Sequence, residues 1–572
     1  MSIVSQGFFM LRRPRYSLDL LYRFNERVNN RPELFEEELI RFFSQPSMLE
    51  AIYVASPELY ASFIGLLEGR VRTSVAGLLK TLYKYFVRMT SRSTPYGLFA
   101  GCAMGEISDT TNIRFDETAP PETHVRLDMN YVAEVAEAIS RQTEVRSRLK
   151  FYPNTSLYRI GDTYRYVECS LNNQKRAYVL ASVERSAYLD RVLLAARDGC
   201  LVGELIDSVT SADIGREEAT WYIDALINAQ ILVSELAATV TGQEFFFTIT
   251  EKLRGIGEAE KDLFQLEKIT ELLRSAEPGI GKYKAVESLV TKHFAIAGSK
   301  DLIQTDLFFR PRSCTISGRV IETLTKEYKN LAFLGLRNPQ PEMELFKKRF
   351  ADRYGQREMP LLEVLDCETG IGYGDVMAGK ADNLPLLEDL RFPGIAKPGL
   401  ADTSPLAVFR EKLFRQAVTD GENRISLTDC MLKDLQKQMN ATAEDPDSFY
   451  LFGNLIAGSE QDMDRGNFKF AFKAMGGPSG LKLLGRFCHG HEQLAERVKM
   501  AVAEEERSVS DVVFAEIAHL PQARAGNVLM RPHLRDFEIP YLAGSSMPRE
   551  NQITPDDLMV SVSASGGDHI MV

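Results

Sequence analysis

The sequence predicts an α+β protein of several units, a mixed helix and sheet chain with a winged-helix-like element embedded in it. Three observations predict it. Apolar residues recur at helical spacing through most of the first 90 residues. Between Lys150 and Leu236 the pattern changes to short strands followed by helical stretches. From 511 to 563 the chain returns to strand-like runs. Its 572 residues correspond to roughly four units at about 150 residues each, enough to bury large cores without disulfide or metal staples.

In order, Tyr16 to Arg27, Pro32 to Phe43 and Pro57 to Leu67 are expected helices, followed by a longer one from about Val71 to Met89. That helix presents Val75, Leu78, Leu79, Leu82, Phe86 and Met89 as a core-facing stripe. Lys80, Lys84 and Arg88 stand four apart on another face. Ser93-Thr94-Pro95-Tyr96-Gly97 ends it, because proline cannot continue a helix. Met129 to Ile139 is helical, with Asp128 placed as an N-cap. Leu157–Ile160, Tyr164–Val167 and Tyr178–Leu180 are expected strands, joined by the turn residues Gly161-Asp162 and Asn172-Asn173. Helices near 183–197, 202–209 and 215–229 and a strand at Ile231–Val233 complete the winged-helix-like order. Residues 251–294 are helically periodic, with breaks at Gly255 and Pro278-Gly279-Ile280-Gly281. Leu302 to Phe309 is strand-like, 360–405 is Gly- and Pro-rich and wraps the surface, Leu406–Ala417 is a helix, and Ala441 to Ser448 is an acidic loop. Val512–Ile517, Asn527–Met530 and Leu558–Val562 are strands. The chain thus divides at 1–149, 150–236 and 237–572.

Composition narrows the class. An apolar fraction of 44% and a charged fraction of 26% are those of a globular protein, not a disordered or collagenous one. The net charge of −11 argues against whole-surface nucleic-acid binding but leaves local basic patches open. Cys102, Cys169, Cys200, Cys314, Cys367, Cys430 and Cys488 are widely spaced and odd in number. Neither a zinc site nor a disulfide framework is expected, and a reducing cytoplasm is. Arg12 and Arg13 precede any long apolar stretch, so the N-terminus is no secretory signal, and no apolar run is long enough to span a membrane.

One absence points to chemistry. No Asp or Glu occurs between Glu68 and Glu106, where average frequency would place about five. The window holds Arg70, Arg72, Lys80, Lys84, Arg88 and Arg92. Phosphates and carboxylates attract such a stretch; alternatively it is a solvated helix face paired with acids from elsewhere. It ends in Arg88-Met89-Thr90-Ser91-Arg92-Ser93-Thr94-Pro95-Tyr96-Gly97-Leu98-Phe99-Ala100-Gly101, where two Arg, a hydroxyl and a turn form a compact anion cradle. Asp306 lies inside an otherwise apolar strand, a costly place for a carboxylate without a partner; a structural Arg is the alternative explanation. Arg486 is either an anion ligand or a partner of Glu492. His519 and His533 are solitary and fit packing better than catalysis.

These residues resemble the N-terminal region of class I lanthipeptide (lantibiotic) dehydratases. The likeness is carried by RxxxRxTPYGLFAG from Arg88, by Glu50 to Leu59, by Arg126-Leu127-Asp128-Met129-Asn130-Tyr131 and by Leu302 to Asp306. Leu362 to Asp366, Gly370 to Gly374 and Leu484-Gly485-Arg486-Phe487 extend it, and it runs collinearly from about residue 8 to 562 through Ala515-Glu516-Ile517, Asn527-Val528-Leu529 and Glu538-Ile539. The resemblance implies transfer of glutamate from glutamyl-tRNA to Ser and Thr hydroxyls of a ribosomal precursor peptide. Glutamate is then eliminated elsewhere to leave dehydroalanine or dehydrobutyrine. It implies catalytic roles for Arg88, Arg92, Thr94 and Asp306, and substrate binding by Lys80, Lys84, Asp128 and Arg486. It makes 150–236 a leader-peptide recognition element, with the leader adding as a strand beside Tyr178, Val179 and Leu180. DNA is a poorer partner for that element, because helix 215–229 carries Glu217, Glu218 and Asp224.

Glutamyl-tRNA is the implied co-substrate, with no bound cofactor and no metal. Further implied partners are a separate elimination-domain protein, a cyclase and a second copy of the chain. Family members continue beyond Val562 with a basic stretch, so a glutamylation region truncated at its C-terminus is expected. Two other activities fit the same residues: a peptide aminoacyl-tRNA ligase and a non-catalytic leader-binding scaffold.

Overall fold

The computed structural model describes residues 3–571 except 71–74, 117–118, 173–174, 276–278, 297–301, 336–340, 375–404, 440–447, 478, 522–524 and 563–569. The helix start at Val71, Arg72, Asn173, Pro278, most of 360–405, the loop from Ala441 and the chain end after Val562 fall wholly or largely outside the described residues.

Strand β1 (Phe8–Pro14) leads into helices α1 (Leu18–Asn30), α2 (Leu34–Phe43), α3 (Pro46–Ala55), α4 (Pro57–Leu67) and α5 (Val75–Ser91). Next come β2 (Ala100–Ser108), β3 (Asn112–Phe115), β4 (Glu122–Leu127), α6 (Met129–Ser140) and α7 (Thr143–Arg146). The middle region comprises β5 (Lys150–Pro153), β6 (Tyr158–Ile160), β7 (Thr163–Asn172), β8 (Lys175–Glu184), α8 (Ala187–Ala196), β9 (Cys200–Leu201), α9 (Val202–Val209), α10 (Arg216–Asn228) and β10 (Leu232–Ser234). Then follow α11 (Phe245–Leu253), α12 (Glu260–Arg274), α13 (Gly281–His293), β11 (Ile303–Phe308), β12 (Pro311–Ser317), α14 (Gly318–Gly335), α15 (Pro341–Tyr354), β13 (Met359–Pro360) and α16 (Leu361–Leu365). The chain continues through α17 (Pro405–Asp420), α18 (Asp429–Gln438), β14 (Tyr450–Ala457), α19 (Glu460–Asp464), β15 (Phe468–Gly476), α20 (Leu481–Leu484) and α21 (Glu492–Arg507). It closes with β16 (Ala515–His519), α22 (Gly526–Leu529), β17 (Phe537–Tyr541), β18 (Met559–Val562) and β19 (Ile570–Met571).

The expected mixture of helix and sheet is observed. Local chemistry explains the helical N-terminus. Ser17 accepts from the Asp19 amide, Ser56 accepts from the Leu59 amide, and Pro46 and Pro57 open α3 and α4 where a missing N–H costs nothing. The apolar stripe of α5 is buried as expected: Leu78, Leu79, Leu82, Phe86 and Met89 share one core with Leu21, Phe24, Leu39, Phe43 and Phe63.

A six-stranded mixed sheet organises the site. Its order is β3-β12-β2-β11-β4, with β1 antiparallel to β2. One edge of β2 takes β1; the other takes β11 at Cys102 and then β12 from Glu106 to Ser108, both parallel. On one face Ala103, Leu307 and Phe309 join the core of α1–α5. On the other, Cys102 and Phe308 pack with Phe487, Cys488, Leu494, Val498 and Leu534.

Several sequence expectations need correction. The segment Asn527–Met530 is a helical turn, α22, because Asn527 spends its side chain bridging Asp128 and the Met129 amide rather than joining a ladder. The strand expected at Val512 begins at Ala515, where pairing with β17 starts. The helix placed from 183 begins at Ala187, because β8 runs to Glu184 and Ser186 caps the helix by accepting from Leu189. Helix α3 was not expected as a separate element; it holds Glu50 against the Tyr283 hydroxyl at 2.7 Å. The middle region has strands β6–β8 and helices α8–α10, and also a second sheet, β10-β5-β9, that sequence did not indicate.

Candidate functional site

Alternation along paired strands brings distant residues to one face of the central sheet. Arg12 stands opposite Cys102, Cys102 opposite Phe308, Asp306 opposite His124, and Gln304 opposite Arg126. Arg12, Cys102, Asp306, His124 and Arg126 therefore project from the same side. The segment between α20 and α21 lies over them and contributes Arg486, Phe487 and His489.

Asp306 is buried between two guanidinium groups. Arg486 Nη2 lies 2.5 Å from Oδ1 and Arg126 Nη2 lies 3.1 Å from Oδ2. Arg486 thus pairs with Asp306, not with Glu492. Arg126 Nη2 also donates to the Asn527 carbonyl at 2.8 Å. Arg12 adds a third cation, over the ring of Phe487 at 5.9 Å and of Phe452 at 5.1 Å. Burial lowers the Arg12 pKa; the Cys102 thiol opposes the shift and Arg486 adds to it. Burial pushes Cys102 itself up to about 12. Beside them, His124 Nε2 meets Glu244 at 2.5 Å and His489 Nε2 meets the Gly242 carbonyl at 2.8 Å. Burial raises the Glu244 pKa, but the hydrogen bond and charge of His124 outweigh it and leave a net lowering.

The cluster carries more donors than acceptors. Arg126 Nε and Nη1, Arg486 Nε and His489 Nδ1 are buried with no hydrogen-bond partner. Native proteins rarely leave such groups unmatched, and guanidinium forks fit carboxylate or phosphate oxygens. The arrangement can hold an anion whose oxygens complete these bonds.

The Arg88 motif occupies the turn from α5 into β2. Tyr96 bridges to Ala100, and Gly97 takes φ +49, which L side chains adopt reluctantly. A Cβ on Gly97 would lie 3.8 Å from Thr305 Oγ1, one residue from Asp306. Arg88 sits over the Tyr96 ring at 4.4 Å, and both its Nε and Thr305 Oγ1 are buried without partners. Arg92 and Thr94 are exposed on the turn; Lys80 and Lys84 are exposed on α5. None of Lys80, Lys84, Arg88 and Arg92 forms an ion pair among the described residues.

Asp306 and Arg486 are brought into contact; Arg88, at the end of α5, and Arg92 and Thr94, in the turn after it, are not, because that turn approaches β11 at Thr305, on the face opposite Asp306. Asp128 caps α6 by accepting from the Asn130 amide and receives Asn527 Nδ2 at 2.7 Å, so it supports the loop that holds Arg126. Sequence reasoning missed Arg12, Arg126, His124 and Glu244 as site members. The run Phe8–Pro14 does not alternate, so no local signal marked Arg12; strand register alone places it.

Strand β8 is the edge of sheet β6-β7-β8. Tyr178 donates to the Leu520 carbonyl at 2.6 Å, and Val179 is 53% exposed. On α10, Arg216 pairs with Asp207 and Asp224 with Arg146, which leaves no basic face for a duplex. Residues Asp366 and Arg165 tie this sheet to α16: Asp366 Oδ2 accepts from Arg165 Nη1 and Tyr158 Oη, both at 2.7 Å. All seven cysteines are free. Among the described residues no helix is long and apolar enough to cross a membrane, and no group of three or more His, Cys, Asp or Glu could hold a metal.

Comparison with known proteins adds four findings. Residues 44–567 match the family model described as lantibiotic dehydratase, N terminus. The subtilin biosynthesis protein SpaB of Bacillus subtilis is 22% identical over 586 residues, covering 97% of this chain and 52% of SpaB. The crystal structure of the tRNA-dependent lantibiotic dehydratase MibB from Microbispora sp. 107891 matches with a TM-score of 0.75 at 20% identity, over 98% of this chain and 52% of MibB. The glutamylation domain TbtB from thiomuracin biosynthesis, bound to 5'-phosphodesmethylglutamycin, matches with a TM-score of 0.62 at 18% identity, over 95% and 67%. The chain spans about half the length of SpaB and of MibB.

Proposed function

The chain belongs to the lantibiotic dehydratase N-terminal family, and from that premise we propose that it transfers glutamate from glutamyl-tRNA to Ser and Thr hydroxyls of a ribosomal precursor peptide. The observation that carries this reading is the surplus of buried guanidinium donors around Asp306. A glutamyl ester presents a side-chain carboxylate, an α-ammonium and the phosphates of its tRNA end. Arg12, Arg126 and Arg486 offer the donors for an anionic group, and Asp306 is the carboxylate for an ammonium. Lys80, Lys84, Arg88 and Arg92 offer a separate set of cations for phosphates, on the α5 side of the sheet. The fold-level likeness to the TbtB glutamylation domain is consistent with this division of labour.

The step is a transesterification. The peptide hydroxyl oxygen bonds to the ester carbonyl carbon, the bond to the ribose oxygen breaks, and one proton passes from the attacking to the leaving hydroxyl. Thr94 is exposed on the turn that follows α5, where its hydroxyl is free to hydrogen-bond to the reacting ester. Holding both reactants together contributes to the acceleration, and a donor to the carbonyl oxygen stabilises the negative charge that develops there as the hydroxyl attacks. The precursor leader adds along β8 beside Tyr178, Val179 and Leu180, with residues 150–236 as the recognition element. Elimination of glutamate falls to another region or chain, and a cyclase consumes the product.

Incubation with glutamyl-tRNA and precursor peptide, read by mass spectrometry, should show labile glutamyl esters on Ser or Thr. Arg92→Ala should abolish transfer while leader binding persists. Normal transfer in that variant overturns the assignment of the Arg88–Thr94 motif.

A further inference from the structure

A second group of polar side chains lies outside the Asp306 cluster. Ser546 is exposed, and its Oγ lies 2.9 Å from His533 Nε2. His533 Nδ1 lies 3.9 Å from Glu538 Oε2. Glu538 is fully buried on β17; its Oε2 accepts the Thr241 hydroxyl at 2.6 Å, while its Oε1 has no partner. His533 Nδ1 is likewise buried and unpartnered. Gly242, at φ +90, lets the chain pass this pair closely: a Cβ there would overlap both Ser546 Oγ and His533 Nε2. His533, Ser545, Ser546 and Met547 line a cavity of about 2040 Å³, as do Gln243 and Lys252.

Ser546 Oγ also lies 3.4 Å from the Thr241 carbonyl, a longer contact than the 2.9 Å to His533. Solvent could serve an exposed serine hydroxyl, and a carboxylate buried with one oxygen unmatched is costly. Nucleophile, base and orienting acid in that order are recognised by geometry and role rather than by chain order. The longer imidazole-to-carboxylate separation is of a kind that tightens when substrate binds. We propose that Ser546, His533 and Glu538 form a second acyl-transfer centre, which hydrolyses carboxylic esters entering this cavity. Ser546 Oγ bonds to the ester carbonyl carbon as its proton passes to His533 Nε2. The alcohol leaves with that proton, and Glu538 steadies the imidazolium through Nδ1. Water then attacks the acyl-serine, again deprotonated by His533, and releases the acid and the free serine. Glutamyl transfer at Asp306 is a separate activity.

Burial lowers the His533 pKa, against the opposing charges of Glu538 and Glu516 and with a smaller lowering from Arg531 and Lys499. The neutral base is therefore present at and below pH 6.5, the ordinary histidine value. The test uses the full chain with a fluorophosphonate probe, mapping adducts by peptide mass spectrometry, alongside hydrolysis of p-nitrophenyl acetate. An adduct on Ser546 is expected, absent in Ser546→Ala, with both variants melting as the parent does. His533→Gln should slow labelling about a hundredfold or more, and the parent's labelling rate should rise with pH and level off below 6.5. No adduct on Ser546, or one that forms equally fast in His533→Gln, overturns the proposal. If His533→Gln is misfolded, the pH profile of the parent decides.

Discussion

Two buried aspartates organise two regions of this chain, and their surroundings balance differently. Asp366 is matched. Its Oδ1 accepts from the Glu368 and Thr369 amides and the Thr369 hydroxyl, and its Oδ2 accepts from Tyr158 and Arg165. Around Asp306 the carboxylate is the scarce component, and guanidinium N–H groups are left over. Burial depth is alike, at 3% exposure each. What differs is whether the neighbours are saturated. A saturated carboxylate fastens two parts of a fold together; a cation cluster undersupplied among the described residues leaves donors that an added anion can complete.

The largest expected effect breaks the matched region. Asp366→Ala leaves Tyr158 and the Glu368 and Thr369 amides without their acceptor, while Arg165 keeps Glu368 at 2.6 Å, and should cost about 3 kcal/mol in urea unfolding. A loss below about 1 kcal/mol would remove the distinction. The undersupplied region should respond to added anion. Phosphate or glutamate binding at Arg12, Arg126 and Arg486 stabilises by about 2.7 kcal/mol at a hundred times its Kd. Thermal melts should show this rise in the parent and much less of it in Arg486→Met. Equal rises in both would place the anion elsewhere.

The smallest effect is pH-dependent. Burial pushes the Asp366 carboxyl up, but hydrogen bonds from Tyr158, Thr369 and Arg165 outweigh it and hold the pKa at about 2. An unfolded Asp titrates at about 3.9. The stabilisation, on the order of 2 kcal/mol, is therefore complete above the unfolded value and is lost as pH falls through about 2. Acid unfolding of Asp366→Asn should lack this component; an unchanged acid limb would show that the matched contacts do not matter to folding.

Much of the fold was legible where physics is local. The stripe Leu78–Met89 and the stop at Pro95 follow from periodicity and proline geometry, and α5 forms as expected. The Asp128 cap was equally local. Asn527–Met530 misled because strand propensity there yields to a side-chain bridge across the fold. Of the site, Asp306 stood out as a carboxylate in an apolar strand, and Arg486 was singled out without its partner. Arg12 and Arg126 were invisible as members, because only non-local register brings Phe8–Pro14, β2, β11 and β4 side by side. Their residue types carry no label for that arrangement.

The clasp at Asp366 also sets a schedule. Tyr158 and Arg165 are separated from it by 208 and 201 residues. At about 5–20 residues per second of synthesis, the strands of β6–β8 leave the ribosome roughly 10–40 s before their anchor. A hairpin closes in about 1–10 μs. The nascent sheet therefore has time to form many times over before the carboxylate that fastens it is made. During that interval Arg165 of β7 and Tyr158 of β6 lack the Asp366 partner that anchors them in the finished fold.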